Sequence, residues 1–570
     1  MQPWKKLVAG TLAALFLVGG GFVKVPQAAP ESGQKGKENA QVAAGAAVNR
    51  KVIIEVDAPP VLRRPVSFPV AVIVTNTGEK GQDLVLEELQ VQDVDHPERH
   101  RTRLVVGARL EGIGRDLEEF DKLKEKVRKA KEQGVEPGVG PEEMRKKEKN
   151  LEKGKRITKV TVDLQQYAAE LKPGKVLRLK VSVVVREATP GGNEGTKGSV
   201  ISKIKEIPVE PPLERPPVPP GASHSDWYFG DTHTHSTYTW DYWFGNGIYT
   251  IPELKSLALA AGLDWITLTD HSYCLDSSKY AAIKNETTSL CDGNFSFLYG
   301  EELSVREIKD GQTADLDTAH YAAVLNETFI PSVTNIFRQC SSPDSQQGID
   351  QVKQAGGAVV INHPGWGDRW PESWNFNLKT YPWTHGETGI ELINGPWDDP
   401  DLGAFTRWVE QRLLKGEKVA AFAASDTESQ NQLGTAMTVP YTPANTQQNI
   451  KTTLLQGRHY VTTGPGLAIW AKLPGDSAWH WMGKTLPVGS GTQITLCVSR
   501  AWSAGNLEVR ILKGRFGTES EETVDVRTLP AGSGSYTLMI NVPPGSYVRA
   551  QAVDPGRTGA QAFTTPLWFS

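Results

Sequence analysis

Residues 227–236 read Trp-Tyr-Phe-Gly-Asp-Thr-His-Thr-His-Ser, a short apolar run that ends in two histidines two positions apart. Side chains alternate along an extended chain, so His233 and His235 point to the same side. The layout recurs downstream. LDWITLTD (263–270) ends at Asp270 and His271, and FSFLYG (295–300) runs into Glu301 and Glu302. HYAAVLN opens with His320, and GAVVINH closes with His363. GIELIN closes with Asn394, and VAAFAASD closes with Asp426, followed by Thr427 and Glu428. Helical stretches fall between the runs, at Ile251 to Ala261, Gly348 to Ala355 and Leu402 to Lys415. Alternation of strand and helix predicts an α/β fold with parallel strands and right-handed crossovers. Seven such strands predict a distorted seven-stranded (β/α) barrel over residues 225–466, with chemistry at the carboxyl ends of the strands.

The chain has 11 histidines, and five of them fall at these strand ends beside carboxylates. Imidazoles and carboxylates gathered at one end of a sheet are ligands for zinc, iron or manganese. Glu302 offers two oxygens and suits a bridge between two ions. His96, His100, His224, His385, His459 and His480 fall outside the pattern and read as structural or surface residues.

The remainder of the chain reads as accessory. Of its 570 residues, 62 are basic and 66 acidic, for a formal net charge of -4. That balance indicates no nucleic-acid partner. Lys5 and Lys6 precede an apolar run from Leu7 to Val23, and Ala28 and Ala29 follow. This is the layout of a signal peptide over residues 1–29, with an uncleaved anchor as the other reading. Both place the protein outside the cytoplasm, secreted or associated with the cell envelope. Residues 30–49 read as a flexible lead. Residues 50–210 carry β-branched runs such as VSFPVAVIVTN and VLRLKVSVVV and predict a β-sandwich. It is interrupted by a charged helical hairpin over 115–156. A proline-rich linker (211–224) follows. Residues 467–570 predict a small C-terminal β-domain. The cysteines are Cys274, Cys291, Cys340 and Cys497, and the first two bracket one loop as a candidate pair.

The motifs DTHTHS, TDH, GEEL, INHPG and ASDTE together resemble the polymerase and histidinol phosphatase (PHP) family of metallohydrolases, from about Ser225 to Gly466. SYVRAQAV and AFTTPLWF are similar to the β-domain that follows the catalytic barrel in its secreted, carbaryl-hydrolase-like branch. The resemblance implies a distorted barrel, two or three divalent ions (Zn, Mn or Fe) and hydrolysis of a phosphate ester by ion-activated water. Matched by motif, His233, His235, His271, Glu302, His320, His363 and Asp426 are the implied ligands. Asp270 is implied as a ligand or orienting partner. Asp426 and Asp270 are the candidates to accept the water's proton.

The sequence departs from the family pattern in two places. Glu428 stands where a histidine is usual, and Asp241, a further candidate ligand, falls one residue later than usual. Arg369 is the candidate to grip a phosphate, and Asn394 to hydrogen-bond near the pocket. Trp240, Trp243, Trp366, Trp370, Trp374 and Trp397 crowd the loops and suit either an aromatic pocket or plain packing. Two other readings stay open. The same site can act on a carbamate, ester or amide, or the chain can be a non-catalytic envelope binding protein with a weakened metal site.

Overall fold

The apolar runs pair into one long mixed sheet in the protein's structure, a computed structural model. It describes residues 52–98, 100–132, 141–188, 198–222, 225–241, 245–309, 312–332, 343–364, 384–395, 402–428 and 430–570. Strands β1 (Gly230–Thr234), β2 (Trp265–Leu268) and β3 (Ser296–Lys309) run parallel. Strand β4 (Gln312–Val324) runs antiparallel to β3 and to β5 (Ala358–Ile361). Strands β6 (Gly389–Asn394) and β7 (Ala420–Ala424) continue parallel to β5. The spatial order is β7-β6-β5-β4-β3-β2-β1. Beyond β1 the sheet continues through Met437–Thr442 and His459–Thr462 into C-terminal strands, as far as Glu522–Leu529.

This arrangement overturns the expected (β/α) barrel. Strands occupy 43% of the described residues and helices 19%, and the sheet is a curled, mixed half-barrel with 13 strands along its main path. Two local features explain the difference. Only residues 310 and 311 separate β3 from β4, too few for a helical crossover, so a long antiparallel hairpin replaces a strand-helix-strand unit. On its other side, β1 meets the antiparallel Met437–Thr442 strand at Thr438, which opens the sheet to the C-terminal segment.

Local sequence sets the elements that carry the site. Gly230 packs under Trp265, where a Cβ would come within 2.1 Å of the indole. Helix α1 (Ile251–Ala261) starts at Thr250, which shares a capping box with Glu253, and ends at the left-handed Gly262. Helix α2 (Ser277–Leu290) is capped by Asp276, and α3 (Ser345–Gln354) by Asp344 and Gln347. Among the described residues, no helix is long and apolar enough to cross a membrane.

The N-terminal region forms a three-stranded sheet (Val52–Asp57, Phe68–Asn76, Lys155–Val162) and a four-stranded sheet. Val70, Val72, Leu89, Val91, Val181 and Val183 from the two sheets are fully buried in one core. Charged helices span Gly114–Glu132 and Pro141–Lys153. Arg63 reaches the central region by donating to the carbonyls of Ala261 and Gly434, and Arg64 donates to Asp264. Cys274 and Cys291 are not joined to each other as the expected pair. Cys291 Sγ instead accepts from the Phe297 N–H at 3.3 Å. Cys340 lies outside the described residues.

Candidate metal centre

Strand β1 brings His233 and His235 to one face, and both are buried. Their Nε2 atoms stand 3.1 Å apart. His233 Nδ1 faces Glu391 Oε1 at 3.0 Å, and an ionised carboxylate can only accept. His235 Nδ1 faces Thr239 Oγ1 at 3.0 Å. That hydroxyl donates its single proton to Asp270 Oδ1 at 2.7 Å, so it accepts from the imidazole. Both rings therefore carry a proton on Nδ1, and their Nε2 atoms face each other across the short gap. A cation held there would take both Nε2 atoms as donors, displacing any proton on them.

Carboxylates complete the surroundings. Asp426 Oδ1 lies 3.2 Å from His233 Nε2 and 3.3 Å from His235 Nε2. Glu302 sits at the centre, 1% exposed. Its Oε1 is within 3.3 Å of His233, 3.2 Å of His320 and 3.2 Å of His363, and its Oε2 is 2.6 Å from His271 Nδ1. Glu428 Oε1 is 3.1 Å from His271 Nε2 and 3.8 Å from His235. Tyr273 stacks on the His271 ring at 4.8 Å.

Three overlapping groups result: His233, His235 and Glu302; His235, His271 and Glu428; and Glu302, His320 and His363. His235 belongs to two of them and Glu302 to two. This buried cluster can hold divalent metal ions. The nitrogen and carboxylate donors suit zinc, manganese or iron, and the Glu428 carboxylate makes its end of the site harder.

Electrostatics favour the same reading. Burial alone would raise the Glu302 carboxyl, yet the facing His320, His233 and His271 rings hold it well below its usual range. Asp426 is likewise held down by His233, His235 and His363 against its own burial. Burial would depress His233, but Asp426, Glu302 and Glu391 raise it well above the ordinary value. Glu428 is raised, chiefly by burial and further by Asp426, with His271 opposing. In an ion-free cluster, protons on imidazoles must balance the packed carboxylates. Divalent ions held by the same residues would replace them.

The remaining sequence candidates divide. Asp270 has both oxygens committed to the Ser236–Thr239 turn, accepting from Ser236 N, Ser236 Oγ and Thr239 Oγ1 at 2.7–2.8 Å. Its place is behind His235 rather than among the facing donors. Asn394 donates to Glu391 at 3.0 Å, on the site's outer shell of hydrogen bonds. The Asp241 side chain, Arg369 and the tryptophans Trp243, Trp366, Trp370, Trp374 and Trp397 lie outside the described residues, as does the Trp240 side chain.

Sequence reasoning passed over Glu391, Thr239, Asp231 and Asn362. Glu391 accepts from His233, from the His363 N–H at 2.7 Å and from Asn394. A lone carboxylate inside the fully buried run GIELIN is the signal that marks it, because such a charge must be paired. Asn362 donates to Glu302 Oε1 at 3.0 Å. Asp231, pushed up to about 7 by burial, accepts from the His233 and Ser425 N–H groups and ties β1 to β7. Beyond β7, Asp426 N donates to His233 O at 3.0 Å, and His235 N donates to Thr427 O at 2.8 Å. His363 and Asp426 hold positive φ angles of 29° and 53°, a costly conformation for non-glycine residues and one that gathers at functional sites.

No protein-family model matches the chain, and no curated protein matches it. Among solved structures it overlaps slightly with the lesion-specific endonuclease PfuEndoQ from Pyrococcus furiosus. That overlap has a TM-score of 0.29 and 14% identity over 40% of this chain and 56% of that one. Alpha-2-macroglobulin from E. coli gives a TM-score of 0.15 and 10% identity, over 91% of this chain and 40% of that one. A cycloisomaltooligosaccharide glucanotransferase from Paenibacillus sp. gives 0.16 and 11%, over 90% and 72%. The functional reading rests on the site's own geometry.

Proposed function

We propose that the chain is a metal-dependent hydrolase of phosphate esters, acting outside the cytoplasm. The observation that carries the reading is the pair of buried Nε2 atoms of His233 and His235, 3.1 Å apart beside Glu302 and Asp426. Divalent ions held by the three groups would supply Lewis acidity toward an ester oxygen and would acidify water at neutral pH.

The protein's own residues prepare the site. Glu391 and the Asp270–Thr239 pair fix the tautomers that turn both Nε2 atoms inward. Glu302, with one oxygen toward His233, His320 and His363 and the other toward His271, is placed to bridge. His320 and His363 are 20% and 14% exposed, so they mark the side open to substrate. Three ions of charge +2 would outweigh the five nearby carboxylates of Glu302, Asp426, Glu428, Glu391 and Asp270 by about one unit, a net positive centre that favours an anionic ester over a neutral carbamate or amide. The signal-peptide layout of residues 1–29 supports a secreted or envelope location.

Purified protein assayed with an aryl phosphate and an aryl carbamate, with elemental analysis of the same sample, tests the proposal. Chelator-sensitive phosphatase activity is expected. Preferred carbamate turnover would move the substrate class, and fewer than one tightly held ion per chain would remove the metal mechanism.

A further inference from the structure

The segment that carries Glu428 is pinned at two points. On one side, Thr427 O accepts from His235 N at 2.8 Å, and Thr427 Oγ1 accepts from Gln432 N at 3.1 Å. On the other, the Asn431 N–H donates to both carboxylate oxygens of Asp57, at 3.1 and 3.0 Å. Asp57 closes the strand Val52–Asp57 of the N-terminal β-region and is 374 residues away in sequence. Its carbonyl is held by the Tyr249 hydroxyl at 3.3 Å, just ahead of α1. Asn431 in turn accepts from Leu433 N through its own side chain.

Glu428 lies between these anchors and is the sole carboxylate of the group it forms with His235 and His271. Burying a carboxyl costs free energy unless it is hydrogen-bonded, and both Asp57 side-chain oxygens are turned to the one Asn431 N–H. Burial pushes Asp57 up to about 6.

We infer that Asp57 is a positioning residue for the metal centre, and that the N-terminal β-region sets occupancy of the ion held by His235, His271 and Glu428. The inference rests on the metal-centre reading above. The group formed by Glu302, His320 and His363 shares no residue with that group and has no hydrogen bond to Asp57 among the described residues, so its ion should be retained.

The test uses the full chain as wild type, Asp57→Ala, Asp57→Asn and Glu428→Ala. Each is loaded with Mn2+, dialysed and analysed for bound metal and melting temperature. Asp57→Ala and Glu428→Ala should each hold one ion fewer than wild type. Asp57→Asn keeps one acceptor oxygen and should hold the full number, with the weakest ion released about tenfold more readily to a competing chelator. A folded Asp57→Ala with the wild-type ion count overturns the inference, even with a lowered melting temperature. If Asp57→Ala does not fold, an Asp57→Asn competition curve identical to wild type overturns it. A wild-type protein without tightly held ions fails the metal-centre reading instead.

Discussion

Replacing Glu391 by glutamine removes one charge and one acceptor oxygen while leaving the side chain's shape. Glu391 accepts three hydrogen bonds, from His233 Nδ1 at 3.0 Å, His363 N at 2.7 Å and Asn394 Nδ2 at 3.0 Å. A glutamine has a single oxygen. Aimed at His233, it turns its amide group against two donors. Flipped, it presents a donor to His233, and the ring must move its proton to Nε2, the atom that faces the metal position. One or two bonds to a charged acceptor are lost either way, each contributing about 1.5–3 kcal/mol. Outer-shell replacements of this kind lower metal affinity by about 10–100-fold. Chelator competition on apo protein measures the affinity, and circular dichroism confirms the fold. A folded Glu391→Gln with ion affinity and turnover within about twofold of wild type would refute the tautomer argument.

Three other perturbations test separate parts of the site. His233→Ala combined with His235→Ala should abolish hydrolysis and lower bound metal, read by elemental analysis; unchanged turnover would remove the mechanism. Glu428→His should shift the preference away from manganese toward zinc, because imidazole is the softer donor; an identical metal profile would make Glu428 a bystander. Glu301 is buried, and burial pushes its carboxyl up to about 8 against opposing bonds from Ile330 N and Asn326. The folded state therefore holds a proton that the unfolded state gives up near pH 4.5. Stability should fall as pH rises between about 5 and 8, at about 1.4 kcal/mol per pH unit. Glu301→Gln, neutral throughout, should flatten that slope in denaturant titrations at successive pH values; an unchanged slope would assign the dependence to another group.

The legible part of this protein was local. Short apolar runs closing in histidine, asparagine or carboxylate marked β1, β2, β5, β6 and β7 and the residues now found together around Glu302. Their spacing alone placed His233 and His235 on one side. Legibility failed where partners came from far along the chain. The same apolar runs suit parallel strands with helical crossovers or an antiparallel hairpin, and only the two-residue connection from β3 to β4 decided between them. Glu391 was visible as an oddity in GIELIN but not as the partner of His233, 158 residues away. Asp57 gave no signal, because an aspartate closing a strand is ordinary until Asn431 is seen against it.

Residue type and strand period by themselves determined which side chains could bind a metal and which way they would point, since both depend on neighbours within a few residues. Tertiary structure alone decided the mixed, half-barrel sheet, the tautomers of the two central imidazoles and the anchoring of the Glu428 segment. Each of those depends on a hydrogen-bond partner supplied by a distant strand, and no local propensity encodes which distant strand that will be.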